Sequence, residues 1–379
     1  MNKSLISRLW YLCLVLSCAL CVFPTLANGL TSPRLKGNVV EVEIVCPHAQ
    51  EVLLCGDWLS APVAMTKGAD GRWSYTSNEL APGFYTYTLR VDGVSVADPA
   101  SPYVIRNVGQ LYTYFIVGGA PADDYCVQDV PHGSVTMCWY HSQSMGCDRR
   151  MMVYTPAGYE DSNRSYPVLY LLHGMGGDET AWNELGRATM ILDNLIASGQ
   201  AQPMIVVMPN GNSIQQSSPA YTAIGVEEVR FRLPDSYNAE FEKGFHEIIH
   251  YVDTHYRTYT DASHRAIAGL SMGGYHSHYI SANMPHTFSY VGLFSPAVDA
   301  RTAIDYYGQM DQKLSLLKNA DLRLYWVAIG ETDFLYDEVV RLRKRLDDMQ
   351  FSYTYYESKG GHVWSNWQLY LTRFLPMLF

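Results

Sequence analysis

The run Ala266-Ile267-Ala268-Gly269-Leu270-Ser271-Met272-Gly273-Gly274 constrains this chain more than any other stretch. A short apolar strand passes through Gly-x-Ser-x-Gly and enters a helix, the pattern of a nucleophile elbow. A serine hydroxyl is a weak nucleophile at neutral pH and must be held where a base can reach it. A sharp strand-to-helix turn does this by pushing the side chain clear of the sheet. Gly269 and Gly273 leave room for a backbone that a Cβ would obstruct. The Met272 N–H then lies at a helix N-terminus, suited to a developing oxyanion. An ordinary Gly-rich turn could carry the same pentapeptide, so the assignment depends on partners elsewhere in the chain.

The surroundings of that run read as alternating strands and helices. Strands are expected at residues 168–172, 204–208, 265–269, 291–294, 324–329 and 351–356, and helices at 178–198, 239–255, 274–284, 336–349 and 364–378. Residues 168–172 (VLYLL) are continuously apolar, as in a strand buried on both faces. Two further strands, at 135–140 and 149–154, pair ahead of them. Such alternation over about 250 residues predicts a mostly parallel sheet covered by helices on both faces. Residues 38 to about 118 differ: short alternating runs separated by Gly56-Asp57, Pro82-Gly83 and Asp92-Gly93 predict a small β-sandwich.

The first residues read as a targeting segment. Lys3 and Arg8 precede an apolar run from Leu9 to Phe23, and Thr25-Leu26-Ala27 offers a small-residue cleavage site. No later stretch is long and apolar enough to cross a membrane, so an exported, soluble mature protein is expected, periplasmic or extracellular. Cys18 and Cys21 raise a lipid-anchored alternative. The expected organisation is a signal peptide over 1–28, the β-sandwich over 29–118, a linker over 119–125 and the α/β domain over 126–379. Of eight cysteines, five lie beyond the signal segment. Cys138 with Cys147 and Cys46 with Cys55 could pair, but an odd number cannot form a complete disulfide framework. A net charge of −10 argues against a nucleic-acid or acidic-lipid partner.

If Ser271 is a nucleophile, an acid and a histidine should follow it, each after a late strand. The strand at 324–329 ends in Gly330-Glu331-Thr332-Asp333, which makes Asp333 the choice for the acid, with Glu331, Asp337 and Glu338 as rivals. The competing reading of Asp333 is a cap on the next helix. Gly360-Gly361-His362 follows the last strand and makes His362 the choice for the base. His276, His278 and His286 follow the serine too closely to turn back. Leu171-Leu172-His173-Gly174-Met175 supplies a loop whose Met175 N–H pairs with that of Met272 as an oxyanion hole, His173 shaping the loop. A competing signal is His246-Glu247-Ile248-Ile249-His250, formally a His-Glu-x-x-His zinc-protease motif. It lacks the extended glycine and third histidine, and a polar helix face explains it.

Together VLYLLHGMGG at 168–177, MIVVMPN at 204–210, GLSMGG at 269–274, GETDFLYD at 330–337 and GGHVWSNW at 360–367 resemble the esterase-D/feruloyl-esterase group. This is a carbohydrate esterase family 1-like branch of the α/β-hydrolases, and the resemblance covers about residues 130–379. It implies an α/β-hydrolase fold with Ser271 as nucleophile, His362 as general base and Asp333 as the acid orienting it. The N-terminal segment, through Cys55-Gly56-Asp57-Trp58 and Gly71-Arg72-Trp73, resembles early-set immunoglobulin-like, carbohydrate-binding-module-like domains. Trp58 and Trp73 are there either for sugar stacking or for packing. The combination resembles two-domain feruloyl or acetyl-xylan esterases. It implies a serine carboxylic-ester hydrolase that removes feruloyl or acetyl groups from plant polysaccharide by acyl transfer, with no metal or cofactor. Gly174, Trp182, Trp364 and Trp367 are candidate substrate contacts. The alternatives are a siderophore esterase of the enterochelin type, an acyltransferase, a non-catalytic glycan-binding protein and, remotely, a zinc protease using His246 and His250.

Overall fold

The computed structural model describes residues 31–219, 230–300 and 302–379. The expected signal peptide lies outside the described residues. Contacts divide the chain into two compact units, one built on residues up to 115 and one running from 116 to the C-terminus; Pro82–Phe84 and Ile105–Leu111 belong to the second.

The first unit is all-β with antiparallel sheets. One has the order Arg34–Lys36, Val39–Val45, Arg72–Thr76, Thr66–Lys67. The other has the order Val63–Ala64, Val52–Gly56, Gly83–Val91, Gln110–Val117, Val104–Asn107. Val40, Val42 and Ile44 alternate inward along their strand, as a period of two requires for a half-buried sheet. Trp73 is buried and donates its indole N–H to Cys46 O at 3.0 Å. Trp58 sits edge-on to Tyr85, Tyr87 and Phe115, and a Cβ at Gly56 would stand 2.6 Å from its ring. Both indoles are packing elements of this unit.

The second unit holds an eight-stranded sheet. Its strands are β1 (Ser134–Ser142), β2 (Cys147–Thr155), β3 (Val168–Leu172), β4 (Ile205–Pro209), β5 (Arg265–Leu270), β6 (Tyr290–Phe294), β7 (Leu324–Gly330) and β8 (Thr354–Ser358). Their order is β1-β2-β4-β3-β5-β6-β7-β8, with the first two antiparallel and β3 to β8 parallel. Both faces are covered. The helices α1 (Ala188–Ala197) and α6 (Trp364–Phe374) pack together, and α6 lies on β6 and β7. The opposite face carries α2 (Phe245–His255), α3 (Met272–Asn283), α4 (Met310–Lys318) and α5 (Tyr336–Asp348), which share one apolar core. This explains the unbroken apolar strands: in β7, Tyr325, Val327 and Ile329 join that core while Trp326 meets Tyr370 and Phe374 on the other side.

Where the elements depart from expectation, backbone crowding is the reason. The helix expected over 178–198 is two pieces, because Gly186 follows the Trp182 backbone so closely that a Cβ would stand 2.6 Å from Trp182 O, and Arg187 turns at φ 54°. The last strand begins at Thr354 rather than 351, because Phe351 is buried with its ring against Tyr325. The last helix ends at Phe374, where Pro376 enters a 3₁₀ turn, and α4 was not foreseen. The five cysteines among the described residues are free thiols, so neither expected pair forms; Cys138 faces Met151 across the hairpin and Cys147 faces Ser142. Among the described residues no helix is long and apolar enough to cross a membrane.

Phe374 is fully buried, its ring edge-on to Phe294 and pressed where a Cβ at Gly292 would stand 2.8 Å away. Phe374→Ala is expected to destabilise the fold by about 3–5 kcal/mol, since the rigid sheet cannot collapse into the gap. A urea midpoint equal to the wild type would contradict this packing role.

Candidate active site

β5 delivers Ser271 to the first turn of α3. Ser271 holds φ 53° and ψ −113°, a backbone state that L-residues rarely adopt and that costs on the order of 1–3 kcal/mol. The end of β6, the loop after it and the first turn of α3 hold it there: its N–H donates to Phe294 O at 2.9 Å, and its carbonyl accepts from Tyr275 N–H at 3.0 Å and Ala297 N–H at 3.2 Å. The motif glycines are compulsory for a measurable reason. A Cβ at Gly269 would lie 2.4 Å from Gly273 O, and one at Gly273 would lie 2.3 Å from Leu172 O. Met272 is the first helical residue, so its N–H has no acceptor within the helix.

The acid and base come from the loops after β7 and β8. Those loops are laced by Glu331 N–H to Ser358 O at 2.9 Å and Thr332 N–H to Gly360 O at 3.0 Å. A Cβ at Gly330 would stand 2.3 Å from Gly360 O, so this glycine permits the approach. Asp333 is buried, and both of its carboxylate oxygens accept from His362 Nδ1, at 3.0 and 2.9 Å. One oxygen also accepts from Leu335 N–H at 2.9 Å, so the helix-entry role and the imidazole role fall on one side chain. With Nδ1–H donated to Asp333, Nε2 of His362 is the basic nitrogen. Glu331 instead pairs with Lys359, Glu338 accepts from Asp299 N–H, and Asp337 is exposed. His276 is buried against Glu242 and His278 against Tyr325, on the core side of α3.

The loop after β3 lies over the nucleophile. A Cβ at Gly174 would stand 3.3 Å from Ser271 Cβ. His173 is 2% exposed and fully engaged: its Nδ1 meets Gly174 O at 2.8 Å and its Nε2 meets Gly211 N–H at 2.8 Å. A carbonyl on one side and an N–H on the other fix the neutral ring with the proton on Nδ1. Burial pushes its pKa down to about 4. The loop closes with Gly177 N–H on Gly174 O at 3.1 Å and presents Met175 between them.

The tryptophans form an edge-to-face chain behind the histidine. Trp367 meets His362 at 4.9 Å between ring centres, Trp364 meets Trp367 at 5.0 Å, and Trp182 meets Trp364 at 5.6 Å. Trp182 is buried and donates to Leu172 O at 2.9 Å, and Trp367 is also buried; Trp364 keeps part of its surface open. The motif reading missed Phe334, which is 71% exposed with its ring 4.5 Å from His362. Its position beside Asp333 in GETDFLYD was the available signal. In the His-Glu-x-x-His segment, Glu247 accepts from the hydroxyls of Ser142 and Ser144, each at 2.7 Å, and from Ser144 N–H at 2.9 Å. That carboxylate ties α2 to the β1–β2 turn. Among the described residues no three His, Cys, Asp or Glu side chains are grouped to hold a metal.

The strand order, with a strained serine between β5 and α3, defines an α/β-hydrolase. A family model described as Putative esterase matches residues 142–378, and the chain belongs to that family. An endo-1,4-beta-xylanase/feruloyl esterase of Xylanibacter ruminicola is 34% identical over 283 residues, which are 71% of this chain and 37% of that protein. An esterase of Mycobacterium tuberculosis is 28% identical over 68% of this chain and 51% of its own. The chain thus spans about half or less of the length of these relatives. A solved ferulic acid esterase is 26% identical, with TM-score 0.52 over 65% of this chain and 97% of its own. The enterobactin esterase of Shigella flexneri shares the fold at 18% identity, with TM-score 0.63 over 90% of this chain and 94% of its own.

Two outcomes follow from this geometry. Asp333→Asn leaves the shape of the site but reverses the hydrogen bond at His362 Nδ1, so kcat is expected to fall by roughly 10⁴-fold. Activity within tenfold of wild type in steady-state assays would remove Asp333 from the mechanism. His173, neutral in the native state, contributes stability that is complete above the unfolded pKa of about 6.5 and is lost as pH falls towards 4. The loss reaches about 3 kcal/mol. Denaturant midpoints at pH 7 and pH 4 should therefore fall further in the wild type than in His173→Gln, and equal falls would contradict the assignment.

Proposed function

We propose that the protein removes feruloyl or acetyl groups from plant cell-wall xylan through an acyl-enzyme on Ser271. The observation that carries this reading is the buried Asp333 carboxylate accepting from His362 Nδ1–H, which leaves Nε2 for a serine already presented by the elbow. His362 takes the Ser271 proton as the hydroxyl attacks the ester carbonyl. Asp333 holds the imidazole tautomer and stabilises the imidazolium that forms. The N–H groups of Met272 and Met175 receive the tetrahedral oxyanion, each on the order of 3 kcal/mol in comparable sites. His362 then protonates the departing sugar oxygen, and water releases the acid. None of these steps requires a metal or cofactor.

The xylan substrate is supported by the Xylanibacter ruminicola relative, an endo-1,4-beta-xylanase/feruloyl esterase, and the feruloyl group also by the solved ferulic acid esterase. The exposed Phe334 ring beside His362 offers an aromatic acyl group a face to pack on. Gly174, against Ser271, and Trp364, with part of its surface open, are the earlier candidates that could touch substrate. Export to the periplasm or the extracellular space follows from the N-terminal targeting pattern and suits a polymeric substrate. The domain boundaries proposed are those read from the sequence, with the all-β region over 29–118 and the esterase domain over 126–379. A second reading, a siderophore esterase, is favoured by the Shigella flexneri structure, whose match covers 90% of this chain. The net charge of −10 is less suited to an anionic catecholate ligand.

Methyl ferulate and acetylated xylan, given to wild type and Ser271→Ala, test the proposal. Release of ferulate or acetate by the wild type, reduced at least about 10³-fold in Ser271→Ala, is expected. Undiminished turnover by Ser271→Ala would exclude the serine mechanism. An active wild type that cleaves neither substrate would move the assignment to the siderophore ester.

A further inference from the structure

Residues Ile105–Leu111 belong to the same compact unit as the catalytic residues, and within them the backbone is strained beside the oxyanion loop. Val108 has φ 55°. Glycine, asparagine and aspartate enter that region readily, whereas a β-branched residue there is an outlier held by its surroundings. Asn107 and Gly109 flank Val108, so residue types suited to the position are adjacent in the chain and do not occupy it.

The strained side chain has a definite neighbour. A Cβ built on Gly176 would lie 2.8 Å from Val108 Cγ2 and 3.2 Å from Cγ1, so the isopropyl group covers that glycine. Gly176 itself sits at φ 79°, in the turn that presents Met175. Arg106 fixes both sides of this contact. Its Nη1 donates to Val108 O at 2.9 Å, and its Nη2 donates to Asp178 Oδ2. Asp178 is buried and also accepts from Thr180 N–H at 2.9 Å and Thr180 Oγ1 at 2.7 Å. Burial alone would raise its pKa, but the Arg106 guanidinium and the Thr180 hydrogen bonds hold its carboxyl below the usual range. The loop is therefore pinned at Gly176 and at Asp178, one and three residues beyond the Met175 donor.

We propose that Arg106 and Val108 are positioning residues of the oxyanion hole. They fix the Met175 N–H without touching substrate, and the backbone strain at Val108 is retained because it sets the isopropyl group on Gly176. The proposal rests on the serine-esterase reading above. A donor acts on a developing oxyanion only if its position is set beforehand. A displacement near 1 Å can cost about 100-fold in rate.

The test compares Val108→Asn, Arg106→Gln, Arg106→Lys and Ser271→Ala with wild type. It measures kcat and KM on 4-nitrophenyl acetate and the melting temperature of each variant. Asparagine suits the left-handed turn, so Val108→Asn should melt at or above the wild-type temperature. Its kcat should nonetheless fall by about 10- to 100-fold, with KM within about twofold. Arg106→Gln should show the same split, and Arg106→Lys should recover part of the loss. Wild-type kcat in Val108→Asn and Arg106→Gln, beside an inactive Ser271→Ala, would overturn the positioning role alone. A kcat that falls only in step with the melting temperature would also overturn it, since that is how a merely structural contact behaves. Undiminished activity in Ser271→Ala would instead remove the esterase reading on which the proposal stands.

Discussion

At the end of β5 the chain runs so close to β3 and to its own next turn that only hydrogen fits at Gly269 and Gly273. The rest of the site depends on this approach. It forces Ser271 into a backbone conformation that L-residues rarely adopt, and the hydrogen bonds it donates to Phe294 O and accepts from Tyr275 and Ala297 N–H keep it there. Parallel strands buried on both faces supply the rigidity. A sheet with one wet face could relax the turn at little cost, whereas β5, flanked by β3 and β6, cannot move without opening two ladders.

The same economy of space recurs at the base. The loops after β7 and β8 meet through backbone hydrogen bonds, and Gly330 permits their approach. Asp333 serves the start of α5 and the His362 imidazole with one carboxylate. Behind the imidazole, a chain of edge-on tryptophans occupies the space that a mobile histidine would need. On the other side of the serine, His173 is held between Gly174 and Gly211 as a neutral ring, so the loop over Ser271 is shaped by a group with no proton to exchange near neutral pH. Each device fixes geometry before substrate arrives, which is what electrostatic stabilisation of a transition state requires.

Much of this was legible in the chain. The glycine spacing around Ser271, the apolar runs of β3, β5, β6 and β7, and the positions of Asp333 and His362 after late strands are local patterns, and local patterns report local geometry. The break at Gly186 and the late start of β8 were not legible. The first arises from close approach of Gly186 to the Trp182 backbone and the left-handed Arg187, the second from Phe351, whose ring meets Tyr325 on another strand. The His-Glu-x-x-His segment shows the converse. Its spacing is a metal motif in form, but tertiary contacts commit Glu247 to Ser142 and Ser144, more than a hundred residues away.

The sequence by itself determined the fold class, the order of the strands of the parallel sheet along the chain, and the candidate residues for attack, proton transfer and imidazole orientation, because each is written in spacing and residue type. Only the tertiary structure decided that Asp333 rather than Glu331, Asp337 or Glu338 reaches His362, that the tryptophans pack behind the imidazole, and that Arg106 and Val108 bear on the oxyanion loop. The Asp333–His362 and Arg106–Asp178 pairs join side chains 29 and 72 positions apart, and Trp182 meets Trp364 from far earlier in the chain. Pairings of that span are set by the packing of the whole sheet and have no signature in the neighbouring sequence.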